Sequence, residues 1–188
     1  MTTLIIHPDD RSTDFLRPIY KHIPNKTVIT GPVTQTGLHA LIRAHDQIIM
    51  LGHGSPNGLF SISSGWGRLY LIGADEVEVL RGKELVAIWC HANQFMERYQ
   101  LNGLYSGMFV SEVIEAKTCG LGNVDQNLVT ESNDKFANVL GDGLIKYPND
   151  KPAVWSMVLD QYSRLAEQNQ IAEYNVCRWY YKDAMVEG

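Results

Sequence analysis

Two apolar runs constrain this chain more than anything else in it. Gln47-Ile48-Ile49-Met50-Leu51-Gly52 is followed at once by His53-Gly54, and Glu84-Leu85-Val86-Ala87-Ile88-Trp89 is followed at once by Cys90. A short apolar run bounded by turn-forming residues reads as a buried strand of a parallel sheet. In open α/β sheets, chemistry collects just beyond the carboxyl ends of such strands. If the two strands are neighbours, an imidazole and a thiol reach the same sheet edge. A cysteine nucleophile with a histidine partner requires that arrangement.

The rest of the chain supplies the helices and strands such a sheet needs. Thr3 to His7 is a short apolar run closed by Pro8, a first strand. Asp9, Asp10 or Ser12 can cap a helix to about Tyr20, bent or shortened by Pro18. Lys26 to Thr30 is β-branched and stops at Gly31-Pro32, a second strand. A helix over 36–44 precedes the His53 strand. Between the two main strands, 57–63 and 68–72 alternate apolar and polar residues around a glycine-rich turn at 64–67, which predicts a β-hairpin. The glycines there are too few for a nucleotide-binding loop. A short helix over 73–80 and a helix from Asn93 to about Leu101 flank the Cys90 strand. Gly107 to Ser111 predicts a fifth strand ending in Ser111-Glu112, and Cys119 to Asn123 a loop. Ser132-Asn133-Asp134 predicts the cap of a helix from Lys135 to about Lys146. Pro148 to Pro152 breaks that helix before a longer one from about Ala153 to Gln168. The tail from Ile171 to Tyr181 reads as either strand or helix.

Strands alternating with helices predict a three-layer α/β/α sandwich with a mostly parallel sheet. The 188 residues fit one domain, 1–188, with a C-terminal helical segment from about residue 131. About forty residues beyond Pro148 are too few for a separate core. A net charge of −5 with no basic cluster argues against nucleic acid or an anionic membrane as partner. The N-terminus does not read as a signal peptide, and no apolar run reaches the roughly 18 residues needed to span a bilayer. Cys90, Cys119 and Cys177 lack CxxC spacing, which fits free thiols in a reducing, cytoplasmic compartment. No histidine shows metal-ligand spacing with a cysteine or carboxylate pair, so neither metal nor cofactor is expected.

The order strand, His-Gly, hairpin, helix, strand, Cys resembles the caspase-like cysteine peptidases: caspases, gingipains, clostripain, legumain, separase and the CHAT domains. In that group a His-Gly pair follows the third sheet strand and the nucleophilic cysteine follows the fourth. Here those positions are His53-Gly54 and Cys90, which are 37 residues apart. The clostripain branch carries Ser-Glu at the end of the next strand, and Ser111-Glu112 is similar. The resemblance covers roughly Thr3 to Glu115. It implies a caspase-like fold and cleavage of a peptide or protein substrate by a His53/Cys90 dyad. The backbone N–H groups of Gly54 and Cys90 would form the oxyanion hole, a donor there contributing roughly 3–4 kcal/mol in the transition state. Ile88 and Trp89, before the cysteine, and Ser111 and Glu112 would line the substrate site. With Ile88 in its position, a charged substrate residue finds no counter-ion there, which leaves Glu112 as a source of charge.

Other readings remain open. Cys90 can be a buried structural thiol, since free cysteine is among the most buried residue types. His91 is a rival base, although neighbours on an extended chain point apart. Trp89 before the cysteine, and the lack of a glycine soon after it, fit a catalytically inactive interaction module. Gly52-His53-Gly54-Ser55 is also similar to a run in the tetrapyrrole chelatases, where it ends the first strand rather than the third.

Overall fold

A computed structural model describes residues 1–61 and 69–183. The chain opens with β1 (Thr3–Ile6), a 3₁₀ segment (Arg11–Leu16), α1 (Pro18–Lys21), β2 (Lys26–Ile29), α2 (Gln35–Ala44) and β3 (Gln47–Leu51). Three short strands follow: β4 (Gly54–Ser55), β5 (Gly58–Phe60) and β6 (Tyr70–Ile72). A 3₁₀ turn (Ala74–Glu76) and α3 (Val77–Leu80) lead into β7 (Glu84–Ile88), α4 (Ala92–Arg98) and β8 (Gly103–Ser106). The chain closes with α5 (Val113–Thr118), α6 (Gln126–Lys146), α7 (Lys151–Ala166), α8 (Gln170–Val176) and β9 (Trp179–Lys182).

The main sheet has six strands in the order β2-β1-β3-β7-β8-β9. All pair in parallel except β9, which runs antiparallel to β8. Side chains alternate between its faces, as a pleat requires. Ile5, Ile49, Leu51, Val86, Ile88 and Leu104 join one core with Phe136 and Leu140 of α6 and Val154, Val158 and Tyr162 of α7. Leu4, Ile6, Ile48, Met50, Leu85 and Ala87 join the other with Leu38 and Ile42 of α2 and Phe95 and Met96 of α4. Helices therefore cover both faces of a mostly parallel sheet. Each such side chain contributes roughly 1.5–3 kcal/mol by leaving water. A one-residue slip in any inner strand would exchange the two sets, so the register is strongly specified.

The segment after β1 departs from the expected helix. Asp10 caps it, but the turn is 3₁₀ to Leu16, and Pro18 stands at the first helical position of α1, where its missing N–H is harmless. The predicted hairpin falls partly outside the described residues: its turn at 64–67 is not among them. Its flanks do pair, β5 with β6 antiparallel and Leu59 opposite Ile72, and β4 adds a third strand.

The fifth strand is not where the sequence predicts it. β8 is Gly103–Ser106, not 107–111. Gly103, at φ +139°, brings the backbone so close to β7 that a Cβ would strike the Leu85 carbonyl. The segment 107–111 turns away because its backbone groups have other partners. Gly107 N–H donates to Arg178 O, and Val110 N–H and C=O pair with the Asn175 side chain at 2.7 and 2.8 Å. Ser111-Glu112 thus leads into α5, a helix the sequence reading missed. α6 starts at Gln126 under an Asp125 cap, nine residues before the expected start at Lys135. Ser132 and Asn133 are buried inside the helix rather than capping it, with Ser132 Oγ 2.6 Å from Tyr162 OH and Asn133 Nδ2 donating to Ser111 O. The tail is both things: α8, then β9.

Candidate active site

β3 and β7 pair in register, with Leu51 opposite Ile88. The ladder runs one step further, because Gly52 N–H donates to Ile88 O at 3.1 Å. His53 and Cys90 each lie two residues beyond this matched pair, so the two strands deliver them to one rim. Both line an open cleft of about 640 Å³ with Asp10, Gly54, Phe60, Leu69, Met108 and Glu115 among its walls. Both also line a much smaller recess with Thr13, Phe109 and Ser111. A polar hollow of about 510 Å³ at the other end of the strands, beside Glu84, Gly103 and Lys182, holds none of these groups.

The two side chains have separate partners. The Cys90 sulfur lies 3.8 Å from Phe109 O and 3.9 Å from Glu115 Oε1, both acceptors for its S–H. His53 Nε2 lies 2.6 Å from Ser12 Oγ. Among the described residues, no hydrogen bond joins the imidazole to the sulfur. Burial pushes the Cys90 thiol up to about 12, and the nearby Glu115 carboxylate adds to the shift. The thiolate is therefore disfavoured at this position, even though α4 begins two residues further on. A thiolate here would give up water and face a negative charge 3.9 Å away.

Glu115 is the site residue the sequence reading missed. Its Oε2 accepts from Ser111 N at 2.8 Å, Ser111 Oγ at 3.0 Å and Glu112 N at 3.1 Å. The carboxylate is thereby held at the start of α5 with Oε1 toward the thiol. A carboxylate three residues into a helix commonly caps it, so the Glu112-Val113-Ile114-Glu115 spacing is the signal that could have found it. Ser111 and Glu112 line a neighbouring groove of about 410 Å³ with Arg11, Ser12 and Phe15 rather than ending a strand.

Gly54 and Trp89 pack directly against each other. A Cβ on Gly54 would run into the Trp89 ring and the Gly58 carbonyl. Trp89 Nε1 donates to Ser55 O at 3.1 Å, fixing β4 beside the cysteine turn. Its backbone N–H and C=O both bond Ser106 Oγ, which carries the β7–β8 pairing past Ile88. Ile88 and Trp89 are only 3% and 2% exposed. Both line the small recess beside His53 and Cys90, but with so little surface open they brace the site from behind more than they meet a substrate. Among the described residues, no hydrogen bond uses the Cys90 backbone N–H.

His91 also lines the cleft, and it is not extended. It sits in the left-handed region at φ 67°, so the premise that it points away from Cys90 as a strand neighbour does not hold. Its Nδ1 lies 3.2 Å from Gln94 Nε2. A left-handed non-glycine residue costs roughly 1–2 kcal/mol and marks a turn held by its surroundings. Cys119 lies 3.3 Å from Tyr174 OH, and Cys177 is exposed. Among the described residues, no group of three or more His, Cys, Asp or Glu is placed to hold a metal ion. None of their helices is long and apolar enough to cross a membrane. No protein-family model, curated protein or solved structure matches the chain.

Proposed function

We propose that this chain is a caspase-like cysteine peptidase that cleaves peptide bonds with Cys90 as nucleophile and His53 as its base and acid. One observation carries the reading. The in-register β3–β7 pair sets an imidazole and a thiol two residues past Leu51 and Ile88, at the wall of one cleft. These are the third and fourth strands of the main sheet in chain order, which is where the resembled group carries its pair. The β5–β6 pair between them stands where that group has its hairpin.

In this mechanism the thiol proton passes to His53 as sulfur attacks the substrate carbonyl carbon. The carbonyl oxygen takes the negative charge beside the N–H groups of Gly54 and Cys90. His53 then returns the proton to the leaving amine, and water hydrolyses the thioester. The raised thiol pKa makes the described state a resting one. Rotation about the Cys90 Cα–Cβ bond must take sulfur from Phe109 O and Glu115 toward the imidazole.

A second reading, a non-catalytic interaction module, draws on the same thiol. A cysteine held protonated by burial and a carboxylate is chemically quiet. A peptide bearing a thiol-reactive electrophile separates the two. The peptidase reading expects selective labelling of Cys90, reduced about 100-fold or more in His53→Ala. Equal labelling in that variant, or labelling confined to Cys119 and Cys177, rejects it.

A further inference from the structure

Asp10 and Ser12 stand behind His53, on the 3₁₀ turn that follows β1. Asp10 is the N-cap of that turn. Its Oδ1 accepts from Ser12 N at 2.9 Å and from Ser12 Oγ at 2.7 Å. Ser12 Oγ in turn lies 2.6 Å from His53 Nε2. The direction of these bonds follows from counting protons. A hydroxyl has one hydrogen to give, and an ionised carboxylate can only accept. The two bonds from Ser12 hold the Asp10 carboxyl below the usual carboxylate range, so it is ionised at neutral pH. The Ser12 hydrogen is therefore committed to Asp10. What Ser12 shows to His53 is a lone pair, and Nε2 must supply the hydrogen. In a neutral imidazole, that leaves the lone pair on Nδ1. Among the described residues, no hydrogen bond engages His53 Nδ1.

We infer that Asp10 and Ser12 are positioning residues that hold the His53 proton on Nε2, so that Nδ1 is the atom that takes the Cys90 proton. The inference rests on the peptidase reading. In the attack step one proton moves, from Sγ to Nδ1, and the Nε2 proton stays in place. The imidazolium that forms is met through Nε2–H and Ser12 Oγ by the Asp10 charge, two hydrogen bonds away. The leaving amine then collects the proton from Nδ1. Ser12 does not serve as nucleophile here, because its own hydrogen is directed at Asp10 and its oxygen accepts from the imidazole.

The test reads the tautomer directly, by two-bond ¹H–¹⁵N spectra of the full chain near pH 8. His53→Ala identifies the His53 resonances. The wild type is expected to carry its proton on Nε2. In Asp10→Asn the cap is retained, but the amide can donate to Ser12 Oγ, freeing the Ser12 hydrogen for Nε2. Proton occupancy should then move toward Nδ1, and Cys90 labelling should slow about tenfold or more. Ser12→Thr keeps the hydroxyl and should keep the wild-type tautomer. A wild-type proton on Nδ1 overturns the inference without any variant. So does an unchanged tautomer in Asp10→Asn with an intact amide spectrum, or modification of Ser12 by a fluorophosphonate. Failure of Cys90 to react with the peptide electrophile, with the tautomer as expected, instead rejects the peptidase reading.

Discussion

At the scale of single residues, the Cys90 thiol is governed by two effects of unequal weight. Burial comes first and the Glu115 carboxylate second. Glu115→Gln removes the charge while keeping an oxygen that can accept from Ser111 N and Glu112 N. The thiol pKa should fall but stay above the ordinary range, because burial persists. Iodoacetamide modification of Cys90 at pH 8 should accelerate several-fold, roughly up to tenfold, in a Cys119→Ser, Cys177→Ser background. An unchanged rate would mean that the carboxylate is neutral or turned away in solution. The same thiol makes stability depend on alkaline pH. Folding raises its pKa from the usual 9.0 to about 12, so the folded state binds the proton more tightly. Its contribution is complete below about pH 9, declines as pH rises and the unfolded thiol ionises, and is gone above about pH 12. Tyr162, also pushed up to about 12 by burial, acts in the same direction, so the comparison must be with Cys90→Ala. Urea unfolding between pH 8 and 11 should show wild-type stability falling more steeply than that of the variant.

At the scale of elements, Asn175 stands in for a missing strand. Its side-chain amide bonds Val110 N and Val110 O as a neighbouring backbone would, and holds the loop that carries Phe109 and Ser111 past the thiol. Asn175→Ala leaves two buried backbone groups without partners, at a cost of roughly 2–4 kcal/mol. The variant should show a lower urea midpoint and faster amide exchange at Val110, whereas a change within 0.5 kcal/mol would mean that water replaces the amide. This residue also explains what the sequence conceals. β1, β3 and β7 are legible because strands buried on both faces leave unbroken apolar runs. β8 is not, because Gly103-Leu104-Tyr105-Ser106 has weaker strand composition than Gly107 to Ser111. Tertiary contact decides the matter: Gly103 alone can lie against the Leu85 carbonyl, while Asn175, 65 residues away, claims Val110. Ser132-Asn133-Asp134 has cap composition yet lies mid-helix, because Ser132 and Asn133 reach Tyr162 and the Ser111 carbonyl instead. The meeting of His53 and Cys90 at one rim is legible from strand order. Their resting partners are not, since Ser12, Phe109 and Glu115 come from three segments with no shared motif.

At the scale of the molecule, the segment from α7 to β9 is tied into the core behind the site. Val154, Val158 and Tyr162 of α7 and Trp179 of β9 share one cluster with Val86, Ile88, Leu104 and Phe136. β9 also covers the edge of β8, with Tyr180 opposite Tyr105 and Trp179 opposite Ser106. At roughly 1.5–3 kcal/mol for each buried side chain, those four residues contribute an amount comparable to the 5–15 kcal/mol that stabilises a typical domain. A chain ending at Tyr147 would expose one face of β7 and β8 and leave β8 as an unpaired apolar edge, which invites association. It should therefore lack a cooperative transition and should aggregate. The full chain should unfold in a single step, with tryptophan fluorescence and far-ultraviolet circular dichroism giving the same urea midpoint. Ile88 ties this behaviour to the chemistry. It lies in the cluster that α7 and β9 complete, and Cys90 is two residues beyond it, so losing the C-terminal elements should also abolish selective labelling of Cys90. A truncated chain that unfolds cooperatively, with dispersed amide resonances and Cys90 still labelled, would make α7 to β9 an appendage.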